Sequence, residues 1–105
     1  IDPDDLTEAL GAVLENAARH AASRVEVSFE RHGGDGVIRV RDDGPGVPPD
    51  ALATLAQRGL RVDQRDGGAG LGLAIAADIL DAAEGGVTIE NARPGLAVAL
   101  SARVA

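Results

Sequence analysis

Apolar residues follow two rhythms along this chain. Leu6, Leu10, Val13, Leu14 and Ala17 recur three or four positions apart, a spacing that gathers them on one stripe of a helix. Asp4 or Asp5 stands where the cap of that helix is expected. Glu8, Glu15, Asn16, Arg19 and His20 are assigned to the opposite, polar face. From Val25 the rhythm becomes alternation: Val25, Val27 and Phe29 against Glu26, Ser28 and Glu30 predict a half-buried strand. "HGGDG", residues 32 to 36, predicts a hairpin turn, and "VIRVRD", residues 37 to 42, a partner strand with Ile38 and Val40 inward. Pro48, Pro49 and Asp50 close the next loop and cap a short helix near residues 50 to 57. Residues 58 to 69 are polar and glycine-rich without periodicity, and read as a mobile loop. Leu71 to Ala83 is an apolar, alanine-rich helix that Gly85-Gly86 is expected to stop. Val87 and Ile89, then Leu96, Val98 and Leu100, alternate as two more strands joined through "NARPG".

Helix, hairpin, short helix, loop, helix and hairpin do not make a βαβ unit. The order predicts an α+β fold: a two-layer sandwich whose mixed or antiparallel-rich sheet is covered on one face by about three helices. At 105 residues the chain fits one domain, residues 1 to 105, with one core. Phe29 is its sole aromatic residue, so Leu, Val, Ile and Ala must fill that core. The chain starts with structure-forming sequence almost at once, as expected of a piece of a longer protein. A net charge of −7 argues against nucleic acid as a partner. Without cysteine there is no disulfide framework and no thiolate metal site. No apolar run approaches the ~18 residues that span a bilayer, so a cytoplasmic domain is expected.

Three stretches carry candidate chemistry. In "RDDGPGVPPD", residues 41 to 50, Asp42 ends a strand and Gly44 and Gly46 follow at two-residue steps. A carboxylate there can accept a hydrogen bond from a ligand amine, and bare backbone lets a flat ring approach. An Asx-bonded surface turn would use the same residues. "GGAGLGLAIA", residues 67 to 76, leads into a helix. Its main-chain N–H groups and the helix dipole suit phosphate, although a flexible linker would read alike. A dinucleotide fingerprint fails, because Leu73 stands where Gly or Ala is required and no strand directly precedes it. A Walker A loop fails for want of any "GK[ST]". In "ENAARHA", residues 15 to 21, Asn16, Arg19 and His20 lie within one helical turn. An amide oxygen can ligate Mg²⁺, and Arg and His can meet phosphate oxygens. A solvated polar face is the plain alternative.

Taken together and in this order, the stretches resemble the catalytic, ATP-binding domain of sensor histidine kinases, of the wider family that includes gyrase, Hsp90 and MutL. "LGAVLENAARHA" matches its N box, "VRDDGPGVP" its first glycine box and "GGAGLGLAIA" its second, while "ENARPGLAVALSA" occupies the place of the closing strand pair. The arginine-bearing stretch before the second glycine box looks most like that of PhoQ-type kinases. The resemblance implies a Bergerat ATP-binding fold, with ATP and Mg²⁺ as ligands. It implies that Asp42 meets the adenine amine and that Gly44, Gly46 and Val47 line the adenine pocket. Asn16 would ligate Mg²⁺, with Arg19 and His20 near the phosphates. Gly68, Ala69, Gly70, Leu71, Gly72 and Leu73 would form the phosphate-facing edge of a lid. Arg58 and Arg61 would reach the γ-phosphate as the catalytic charges.

The same resemblance implies a phospho-acceptor histidine on a separate dimerisation domain, and a response regulator downstream. It also implies a homodimeric parent in the bacterial inner membrane and an isolated domain that is monomeric. The sequence departs from the family pattern in three places. Ala12 stands where a first Asn or Glu is usual, the aromatic pair before the lid is replaced by "ALATLAQRG", and Leu96 replaces a Thr. Ala12 favours the alternative of a nucleotide-binding regulatory module without transferase activity, such as a pseudokinase or an anti-sigma-factor-like protein.

Overall fold

The computed structural model describes residues 2–46, 48, 50, 52–53, 71–92 and 94–103, with only the main chain at 71 and 72. Helix α1 spans Pro3–His20, strands β1 and β2 span Val25–His32 and Asp35–Asp42, helix α2 spans Leu71–Ala82, and strands β3 and β4 span Gly86–Asn91 and Leu96–Arg103. Asp50, Leu52 and Ala53 are also helical, where the short helix near residues 50 to 57 was expected; most of that helix lies outside the described residues.

The four strands form one sheet in the order β1-β2-β4-β3, with every pair antiparallel. The expected α+β sandwich is therefore present, with two full helices among the described residues. The register sets Val27 beside Val40, Val40 beside Val98, and Val98 beside Ile89, so one face of the sheet collects the apolar set. Val40, Leu96, Val98 and Leu100 bury that face against Ala9, Val13 and Ala17 of α1 and Leu73, Ala76 and Leu80 of α2. Small alanines at the contact let α1 and α2 pack closely along each other.

Three local readings need correction. The α1 cap is Asp2, whose Oδ1 accepts from Asp4 N–H at 2.7 Å. Pro3 follows at the position where its missing N–H costs nothing, which leaves Asp4 and Asp5 inside the first turn. At the end of α2 the left-handed residue is Glu84, at φ 60°, not a glycine. Gly85 N–H reaches Leu80 O at 2.7 Å and Glu84 N–H reaches Asp81 O at 3.1 Å, the paired bonds that close a helix in the Schellman manner. In β1, Val25 is half-buried, but Val27 and Phe29 are 52% and 60% exposed. This strand is the sheet's edge, and α1 packs mainly on α2 and β2, so no described helix covers the strip.

Candidate functional site

Among the described residues, the candidates of α1 and of the first glycine stretch gather at one end of the sandwich, where β2 ends, α1 ends and the β3–β4 turn folds back. Asp42 closes β2 and is 4% exposed. Its Oδ1 accepts from Gly44 N–H at 2.9 Å, the bond of a tight Asx turn. That bond orients the carboxylate while leaving it lone pairs for a second donor. A buried carboxylate needs such donors, because an unsatisfied charge in the interior is costly.

Two glycines make the corner possible. A Cβ on Gly44 would overlap the carbonyl oxygen of His20 at the end of α1 and lie 3.1 Å from Asp42 Oδ1. Gly95, in the β3–β4 turn, sits at φ 96°, and a Cβ there would overlap the carbonyl oxygen of Asp42. These glycines serve first to bring the chain against itself. The end of α1 and the β3–β4 turn thereby enclose Asp42 from two sides. The sequence reading assigned Gly44 to a ligand's approach and passed over Gly95; a glycine following a proline in a strand-joining turn was the available signal.

Asn16 was assigned to the polar face of α1, but it is 8% exposed and lies among Ala9, Val13 and Ala17. It stands three residues after Val13 and seven after Ala9, so its side chain belongs to the inward stripe. Arg19 points outward and pairs with Glu15 at 3.5 Å, an exposed pair of little energetic weight. His20 Nδ1 lies 2.9 Å from the carbonyl oxygen of Asn16. A carbonyl only accepts, so Nδ1 donates there and Nε2 is the nitrogen turned outward. Asn16, Arg19 and His20 thus fall within the last five residues of the helix whose end abuts Gly44.

Helix α2 begins at Leu71 with no acidic residue in its first turn, so no carboxylate of its own competes for those N–H groups. Leu73 is 2% exposed within the core, so its side chain is committed to packing and only its main chain is available to a ligand. Val47, Arg58, Arg61, Gly68, Ala69 and Gly70, and the mobile loop expected over residues 58 to 69, lie outside the described residues.

Sequence reasoning gave no role to Asp43. Its Oδ1 accepts from the N–H groups of Ala22 and Ser23 at 2.9 Å each and of Arg24 at 3.0 Å. Ser23 Oγ donates to Oδ2 at 2.5 Å. The Ser23 hydroxyl first, then the three N–H groups, hold this carboxyl well below the usual carboxylate range. Because its folded-state pKa is depressed, the tie is complete above the ordinary carboxylate value and weakens as pH falls below it. On the sheet face away from the helices, a shallow cleft beside it is lined by Arg24, Glu26, Arg41, Asp42, Asp43 and Pro94.

Among the described residues, no group of three or more His, Cys, Asp or Glu converges as a metal cage, and no helix is long and apolar enough to cross a membrane. An amide oxygen can serve as one ligand of Mg²⁺ where substrate phosphates and waters supply the rest, and Asn16 is the buried amide at this end of α1.

The profile of the histidine kinase-, DNA gyrase B- and HSP90-like ATPase family matches residues 1–103. The chain is 41% identical over 96 residues to the sensor protein kinase CarS of Pseudomonas aeruginosa, covering 90% of this chain and 21% of that protein. It is 40% identical over 90 residues to the two-component sensor PhoQ of the same organism, covering 86% of this chain and 20% of that one. The chain therefore spans about a fifth of the length of these curated relatives. The crystal structure of full-length ShkA in complex with AMPPNP superposes with a TM-score of 0.78 at 30% identity, covering 96% of this chain and 22% of that one.

Proposed function

Because this chain belongs to the histidine kinase-, DNA gyrase B- and HSP90-like ATPase family, we propose that it is the ATP·Mg²⁺-binding catalytic domain of a two-component sensor histidine kinase. The observation that carries the reading is the buried carboxylate of Asp42, fixed by Gly44 N–H at a strand end and open to one further donor. An adenine amine supplies that donor. The ATP analogue held by the ShkA structure supports the ligand class.

Asn16 offers its amide oxygen to Mg²⁺, which when bound neutralises phosphate charge and holds the phosphates in position. Arg19 and His20 stand beside it for the phosphate oxygens, and the first-turn N–H groups of α2, at Leu71 to Leu73, face the tail. Gly46 and Val47 complete the adenine side. Gly68, Ala69 and Gly70 extend the phosphate-facing edge. Arg58 and Arg61 supply positive charge at the γ-phosphoryl, since phosphoryl transfer rests on positioning and electrostatics more than on covalent help from the protein. An imidazole nitrogen of a separate dimerisation domain attacks the γ-phosphorus. The bond to the bridging oxygen breaks, ADP leaves with the electron pair, and the ring proton passes to solvent. The parent protein is then a homodimer of the bacterial inner membrane that hands the phosphoryl group to a response regulator.

Incubation of this chain with the parent's dimerisation domain and γ-labelled ATP tests the reading. Acid-labile, base-stable label on a histidine is expected. ATP binding without any label would favour the regulatory module that Ala12 suggests, and no ATP binding would remove both. Asn16→Ala is expected to weaken ATP binding about tenfold with Mg²⁺ present and much less in EDTA. Equal losses in the two conditions would take the metal role from Asn16.

A further inference from the structure

We propose that Asp43 is a positioning residue of the nucleotide site, whose carboxylate fixes the end of α1, with Asn16, Arg19 and His20, against the turn that carries Asp42. The inference rests on the nucleotide reading above and adds to it a residue that touches no ligand.

The hydrogen bonds of Asp43 leave its own stretch of chain. The four that its carboxylate accepts come from Ala22, Ser23 and Arg24, in the connector that follows α1 some twenty positions earlier. Three successive N–H groups converging on one carboxylate form a concave anion cradle, filled here by the protein's own side chain. Next to it, the last carbonyl of α1, on His20, sits where Gly44 has no Cβ. The carboxylate and the bare backbone act on the same joint: one pulls the connector in, and the other lets it come close.

The joint matters because the site has two halves on separate segments. Asp42 serves the purine from the end of β2, and Asn16 serves the metal and phosphates from near the end of α1. A ligand that spans both halves depends on their separation, and misplacement by about an ångström is enough to lose much of a binding or reacting geometry. A ligand that touches only one half does not sense that separation. The adjacent acids of "RDDGPG" therefore divide the work, Asp42 toward the ligand and Asp43 toward the connector.

The test compares a spanning ligand with a half-site ligand on the intact 105-residue chain. ATP with Mg²⁺ and, separately, adenosine are titrated into wild type, Asp43→Ala and Asp43→Asn and followed by NMR, with the spectra confirming the fold. Asp43→Ala is expected to lose roughly tenfold in ATP·Mg²⁺ affinity and less than about threefold for adenosine. Asp43→Asn keeps an acceptor oxygen for the three N–H groups and is expected to restore most of the loss. Should Asp43→Ala fail to fold, Ser23→Ala removes the Oδ2 bond alone, and a smaller loss confined to ATP·Mg²⁺ is expected. Unchanged ATP·Mg²⁺ affinity in these variants, or equal loss of both ligands, would overturn the positioning role. Wild type binding neither ligand would overturn the nucleotide reading itself, so the two failures are told apart by the first titration.

Discussion

Asp42→Asn is expected to abolish measurable ATP binding, a loss on the order of a hundredfold or more, while the fold stays intact. The substitution changes almost no volume at a position only 4% exposed, so packing gives no reason for unfolding. What changes is the number of acceptors. Gly44 N–H already takes one oxygen, Oδ1. If the new amide keeps its oxygen toward Gly44, its NH₂ group faces the adenine amine, donor against donor. If it turns over, Gly44 N–H loses its partner and the turn loosens. Either orientation leaves one donor unpaired in a buried place, where such a loss is worst. Calorimetric titration with ATP measures the first effect. A melting temperature within a few degrees of wild type, read by circular dichroism, checks that the fold is kept. Full affinity in the variant would mean that Asp42 does no more than form its turn.

What could be read from the sequence and what could not follows from the range of each interaction. The alternation in β2 and β4 was decisive because both strands are central and carry helices on one face. The same alternation misled in β1: period two tells which side chains share a face, not whether anything covers that face. Asn16 was misplaced by its polarity, although its spacing from Ala9 and Val13 put it on the inward stripe. Polar character outweighed geometry in the reading, and burying an amide at that spacing is itself a sign of a site. Asp43 could not have been found locally. Its partners lie about twenty residues earlier and are mostly main-chain groups, which every residue except proline has, so no side-chain motif announces them. The cap of α1 failed for a plainer reason, since Pro3 moved the helix start forward by its own preference for the first helical position.

Gly95→Ala is expected to be the most destabilising single methyl that can be added near the site. Two costs coincide there. At φ 96° an alanine is strained wherever it is placed, by roughly 1–3 kcal/mol. Its Cβ would also overlap the carbonyl oxygen of Asp42 and lie 2.6 Å from the carbonyl carbon behind it. Backbone cannot turn aside as a side chain can, so the β3–β4 turn and the end of β2 must part, at about another 1–3 kcal/mol. A chain of this size has only about 5–15 kcal/mol in total, and the melting temperature should fall by roughly 10–25 °C. Gly11 lies on the exposed side of α1, and a Cβ there would meet nothing within 4 Å. It takes the same methyl with an expected gain of about 0.5–1 kcal/mol. ATP affinity separates a site defect from general weakness. In Gly95→Ala it should remain reduced at temperatures where the variant is fully folded, because the carbonyl that must move belongs to Asp42. A variant that both melts and binds ATP like wild type would mean that the turn does not press on Asp42 at all. Near-normal melting with lost affinity would instead show the corner yielding without unfolding, with the carboxylate carried out of place.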